Sequence, residues 1–71
     1  MDREVVESSM IKSLGHDPST MILEVEFTKG QIYRYENVPP DVYEALLTAK
    51  SIGKAFSQLI GPSEYTYQRV L

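Results

Sequence analysis

The stretch "MILEVEFTKGQIYRY", residues 21–35, restricts the fold more than any other part of the chain. Leu23, Val25 and Phe27 alternate with Ile22, Glu24 and Glu26. That period of two is the pattern of a strand with one buried face. "TKG" reads as a hairpin loop, with Gly30 where a positive φ is wanted, and "QIYRYEN" as the returning strand. Loop length sets the register. A three-residue loop, Thr28-Lys29-Gly30, pairs Phe27 with Gln31, Val25 with Tyr33 and Leu23 with Tyr35. It also sets Glu24 opposite Arg34, a favourable cross-strand pair on the other face. A two-residue loop, Lys29-Gly30, puts Tyr33 opposite Glu26 and Arg34 opposite Val25. A slip of one residue reverses every side chain. Only the three-residue loop gives a consistent apolar face, so Tyr33 and Tyr35 are expected to lean into a core rather than to present a platform for bases.

An apolar sheet face needs a cover, and the second half of the chain supplies it. "PPDVYEALLTA" reads as a helix: Pro40 is tolerated in the first turn, Asp41 suits the N-terminal dipole, and Val42, Tyr43, Leu46 and Leu47 make the stripe. Ser51 is a plausible N-cap for a second helix from Ile52 to Ile60, with Ile52, Phe56, Leu59 and Ile60 on one face. Gly61-Pro62 is expected to stop it. Upstream, "SSMIKSL" (residues 8–14) is an imperfectly alternating strand, and Asp17-Pro18 signals a turn. The tail "EYTYQRVL" reads as a short edge strand or an ordered extension. The expected fold is α+β, one domain over residues 1–71: about three antiparallel strands followed by two helices packed on one face.

With 71 residues the core is small, because a chain of this size buries only roughly 60% of its unfolded surface. There is no cysteine, so neither a disulfide framework nor a thiolate metal site is available. No apolar run approaches the roughly 18 residues needed to span a membrane. The N-terminal Met1-Asp2-Arg3-Glu4 is charged and mixed in sign, unlike a secretory leader. A cytoplasmic protein without membrane attachment is expected. The net charge of −3 argues against general affinity for nucleic acid, which comes mostly from basic side chains displacing counterions. The basic residues are Arg3, Lys12, Lys29, Arg34, Lys50, Lys54 and Arg69, with no two adjacent. Any basic patch has to be assembled by the fold.

The order and spacing of "SSMIKSLGHDPST", "LEVEFTKGQIYRYENVPPDVYEALL" and "SIGKAF" resemble the KTSC domain family, over about Val6 to Val70. The family takes its name from its place at the C-terminus of some lysyl-tRNA synthetases, and it also occurs free-standing. Tyr33-Arg34-Tyr35 matches the family's Y-x-Y centre; Ser8-Ser9, the Gly15 to Asp17 turn, Val38-Pro39 and Tyr67 with Arg69-Val70 match as well. The resemblance implies an α+β domain of unestablished function, with RNA as the ligand suggested by the synthetase setting. Two positions depart from the family pattern. An aromatic usually occupies the place of His16. The segment after the second helix is typically basic, whereas "SQLIGPSEY" (residues 57–65) has no basic residue.

The candidate ligand residues are Arg34, Lys54, Tyr65, Tyr67 and Arg69. Arg69 with Lys54 and Lys50 would form a small anion-binding face beside the start of the second helix, Ser51 to Gly53. The plainer reading of Tyr65 and Tyr67 is a tail that covers a sheet edge or a partner subunit. Arg34 is expected to pair with Glu24 or Glu36. "SIGKAF" has a Gly-Lys but lacks the upstream glycine and the hydroxyl of a phosphate loop. "DVYEALLTAKSIGKAFSQLI" has the outline of a helix-turn-helix, but its second helix carries one basic residue and needs its apolar stripe for the core. His16 is read as a turn residue beside Asp17, and Glu24 and Glu26 as surface charges. No residue set points to catalysis, a metal or a cofactor. The function expected is a non-enzymatic binding module with RNA or another nucleic acid as the ligand the resemblance implies. The alternative is a small oligomer, such as a homodimer of phage type, that holds a protein partner or a small nucleotide.

Overall fold

The computed structural model describes residues 2–61 and 65–71. Five strands, β1 (Glu4–Val5), β2 (Ile11–Asp17), β3 (Ile22–Phe27), β4 (Ile32–Tyr35) and β5 (Tyr67–Arg69), form one sheet in chain order, with α1 (Pro40–Thr48) and α2 (Ile52–Leu59) between β4 and β5. Every neighbouring pair is antiparallel. The fold is α+β, as the sequence predicts, but the sheet has five strands rather than three. The additional strands are the edges. β1 is two residues long, too short to show any periodicity, whereas β5, three residues long, is the edge strand that the alternating tail offered as one of its two readings.

The β3–β4 hairpin takes the three-residue loop. Leu23 faces Tyr35, Glu24 faces Arg34 and Val25 faces Tyr33. Gly30 closes the loop at φ 101°, a conformation that favours glycine. The inward face is therefore Leu23 and Val25, both fully buried, with Tyr35 9% exposed and Tyr33 and Phe27 packed at its margin.

β2 starts and ends later than its sequence suggests. Ser8 Oγ accepts from the backbone N–H groups of Met10 and Ile11, so residues 8–10 form a turn rather than the start of a strand. Ile11 and Leu14 both point inward because Lys12 is an extra residue, a β-bulge opposite Phe27 and Glu26. The imperfect alternation of "MIKSL" is this bulge. The strand then continues through Gly15 and His16, which pair with Glu24 and Leu23. His16 is thus a strand residue and not a turn residue: its Nε2–H donates to Val38 O at 2.7 Å, and its ring stacks on Tyr43 at 5.4 Å. The turn itself follows, closed by Asp17, whose carboxylate accepts from Ser19 N–H and Oγ–H.

Pro39 and Pro40 fix the entry into α1, and Asp41 lies in its first turn. Leu46 is fully buried, and Val42, Tyr43 and Leu47 pack against the same core. Ser51 caps α2 by accepting from Lys54 N–H. Ile52, Phe56 and Ile60 turn inward, and Phe56 meets Phe27 and Tyr35 edge-on. Leu59, expected on that stripe, is 40% exposed instead. The helix ends with Ile60 N–H and Gly61 N–H both donating to Phe56 O. The Pro62 part of the expected stop, together with residues 63 and 64, lies outside the described residues. Both helices cover the sheet face that holds Leu23 and Val25, which uses up the apolar stripe a helix-turn-helix reading would have left free.

Candidate nucleic-acid interface

Two grooves meet on the helix side of the molecule. The first surrounds the start of α2. It encloses about 410 Å³ and is lined by Glu7, Ser8, Ser9, Met10, Lys50, Ser51, Ile52, Gly53, Lys54 and Ser57, so one carboxylate stands among its two lysines. The first turn of α2 rests on the Ser8–Met10 turn: a Cβ at Gly53 would lie 3.4 Å from Ser8 Oγ and 3.6 Å from Met10 Cε. This close seating brings Lys50 and Lys54 to either side of backbone N–H groups at a helix start, where the dipole is positive.

The second groove, of about 460 Å³, lies between that same turn and the tip of the β3–β4 hairpin, and is lined by Ser9, Met10, Phe27, Thr28, Lys29, Gln31 and Tyr33. Ser9 and Met10 belong to both grooves. Thr28 fastens the hairpin to the turn, its N–H donating to Met10 O at 3.0 Å and its Oγ1–H to Ser9 O at 3.2 Å. Tyr33 continues the surface toward β5. Its cross-strand partner is Arg69, and Tyr67 stands opposite Tyr35, so all four side chains share the helix-side face. The rings of Tyr33 and Tyr67 stack at 5.6 Å, and Tyr67 remains 57% exposed. Burial, with smaller contributions from Tyr33 and Tyr67, pushes the Tyr35 phenol up to about 12.

Of the residues singled out from the sequence, the fold therefore brings Tyr33, Tyr35, Tyr67 and Arg69 onto one face and sets exposed Lys54 at the start of α2. Tyr65 is partly buried against the core. Arg34 is not with them. It points from the opposite face of β4, where its Nε–H donates to Glu24 Oε1 at 2.7 Å.

That outer face holds a charged network that sequence reading found only in part. Glu24, expected as a surface charge, is 4% exposed. Its second oxygen accepts from Arg3, which also approaches Glu26 at 3.7 Å; Glu26 in turn accepts from Ser13 Oγ–H at 2.8 Å. Burial by itself would raise the Glu24 carboxyl, but the hydrogen bonds and charges of Arg34 and Arg3 outweigh it and hold the group below the usual carboxylate range. With both oxygens engaged and its proton affinity lowered, Glu24 is suited to anchoring and poorly suited to general acid or base work. A signal for Arg3 was present: Gly15, in mid-strand opposite Glu24, marks a close backbone approach. Asp2, His16, Asp17 and Arg34 line a shallow outer-face cavity of mixed charge. Among the described residues there is no group of three or more His, Asp or Glu placed to hold a metal ion, and no helix is long and apolar enough to cross a membrane.

Comparison with known proteins agrees with this architecture. The chain is 51% identical over 70 residues to an uncharacterized protein of Stutzerimonas stutzeri, covering 99% of each. It is 41% identical over 54 residues to a lysine–tRNA ligase of Nostoc punctiforme, a match that takes in 76% of this chain and 10% of the ligase. The crystal structure of a KTSC domain protein from Yersinia pestis superimposes with a TM-score of 0.90 at 31% identity, over 99% of this chain and 97% of that one. Residues 7–67 match the KTSC domain, and the chain belongs to that family.

Proposed function

We propose that this KTSC protein is a non-enzymatic binding module whose ligand is single-stranded RNA, carried along the helix-side grooves in the cytoplasm. One observation carries the reading: the groove flanked by Lys50 and Lys54 adjoins the aromatic groove of Phe27 and Tyr33, the two sharing Ser9 and Met10 as a common wall. A cationic stretch beside half-buried rings that still line a groove is the pattern used for unpaired nucleic acid, where phosphates are held by charge and bases by stacking. Double-stranded nucleic acid fits less well, because the chain carries −3 overall and presents no long basic face. The likeness to a stretch of lysine–tRNA ligases supports an RNA setting. Arg34, on the far face and engaged with Glu24, has no part in this site.

The test is a titration of 15N-labelled protein with short single-stranded RNA and DNA at low salt. Amide shifts at Ser8–Met10, Lys50–Lys54, Tyr33 and Tyr67–Arg69 that fade as salt rises are the expected result. No shift at high ligand concentration would remove the reading.

A second reading is self-association. The β5 edge exposes Tyr67, Val70 (49%) and Leu71 (68%), and a small chain gains stability by covering such an edge in a dimer. A solution mass of two chains, with the same titration silent, would favour it.

A further inference from the structure

Resting on that RNA reading, we infer that the groove between the hairpin tip and the Ser8–Met10 turn is a seat for one unpaired nucleobase. Its walls make it so. The rings of Phe27 and Tyr33 stand at 88° with centroids 5.6 Å apart, which forms a right-angled aromatic corner. A flat ring laid on one of these faces presents its edge to the other, and both arrangements are favoured aromatic geometries. Met10 closes the apolar side with a thioether that adapts to planar groups. Gln31, also in the lining, supplies a side-chain amide, a donor and an acceptor together, for the polar edge of a base.

The corner is built before any ligand arrives. Phe27 is held from below by Phe56, 5.7 Å away and at 83°. Tyr33 is stacked with Tyr35 at 6.3 Å and with Tyr67 at 5.6 Å. The opposite wall is tied to the hairpin by the two Thr28 hydrogen bonds. A site fixed in this way spends little of its binding free energy on ordering. Its volume of about 460 Å³ falls within the roughly 300–1,000 Å³ of sites for small organic groups.

Charge settles the class of occupant. Lys29 lines the seat itself, and Lys50 and Lys54, with Glu7, line the groove beyond the shared Ser9–Met10 wall. An apolar ring with anionic groups on both sides is a nucleotide within a strand. An uncharged aromatic side chain of a protein would leave these cations unused. Besides Gln31 the polar residues lining the seat are Ser9, Thr28, Lys29 and Tyr33; a hydroxyl can donate or accept, so the seat is expected to accept any of the bases.

The experiment compares a short oligouridylate with an abasic ribose-phosphate oligomer of the same length, both titrated into the full chain at low salt. The expected result is that the oligouridylate binds at least about fivefold tighter, as a stacked base contributes roughly 1–3 kcal/mol, with shifts at Phe27, Gln31 and Tyr33. Tyr33→Leu should abolish the difference. Since that variant also loosens the sheet margin, Gln31→Ala is the second probe, and it should weaken only the base-bearing oligomer. Equal binding of the two oligomers, with shifts confined to Lys50–Lys54, would overturn the base seat and leave the RNA reading standing. Absence of binding by both would overturn the two together.

Discussion

Arg3 and Glu24 stand 21 residues apart in the chain, yet the Arg3 guanidinium donates to Glu24 Oε2 over the backbone of Gly15. Glu24 is thereby clamped between a residue of the N-terminal segment and one of β4, and its burial depends on both. Removal of one partner from a fully buried pair costs roughly 3–5 kcal/mol. Here Arg34 keeps 46% of its side chain exposed and Arg3 26%, so water screens part of the effect. Arg3→Ala is expected to lower unfolding free energy by about 1–2 kcal/mol, read from urea denaturation at neutral pH.

The same pair contributes to the acid limb of stability, beside Asp17, whose carboxyl the Ser19 hydrogen bonds also lower. The Glu24 carboxyl is lowered on folding, so its contribution is fully present above its unfolded value of 4.5 and is lost as pH falls through the lower folded value. Urea midpoints measured from neutral pH downward should therefore fall below pH about 5. Glu24→Gln should be less stable at neutral pH and should flatten that fall. An acid limb unchanged by the substitution would mean that Glu24 is not the group responsible.

Gly15 is the seat over which this clamp passes. A Cβ there would come within 2.5 Å of Asp2 O and 2.9 Å of Arg3 Cγ. Gly15→Ala is expected to lift β1 from the sheet while β2 to β4 stay paired, at a cost of about 1–3 kcal/mol. Amide exchange should show Val6, whose N–H donates to Lys12 O, losing protection first.

Tyr35 contributes to the alkaline side, beside Tyr43, whose phenol is also raised by burial. The Tyr35 phenol is raised to about 12, so it stabilises the fold fully below the unfolded value of 10.0 and loses that contribution as pH rises through about 12. The slope is a little over 1 kcal/mol per pH unit in that window. Tyr35→Phe should remove the late-ionising group from an ultraviolet titration and reduce the alkaline loss of stability.

Two cations separate binding from stability. Lys54→Ala should weaken single-stranded RNA binding and reduce its salt slope by about 0.7, with folding almost unchanged. Arg34→Ala should do the reverse: it lies on the opposite face and holds Glu24, so it should destabilise the fold and leave RNA affinity as it was.

What the sequence determined by itself was local. Alternation from Leu23 to Phe27, a three-residue loop ending in Gly30 and the next tyrosines were enough to fix the hairpin register, because side-chain period and loop length are properties of adjacent residues. The helices were equally legible from Pro40, Ser51 and their apolar stripes. Tertiary structure decided what depends on distant segments. β1 is a strand only because β2 offers it an edge, and Lys12 bulges so that Ile11 and Leu14 can both reach the core. His16 leaves its expected turn to pair in the sheet, bond to Val38 and stack on Tyr43. The candidate site was divided in the same way. The basic residues were visible one by one, but their faces are assigned only by strand pairing and helix seating, which put Arg69 beside Tyr33 and Arg34 behind the sheet.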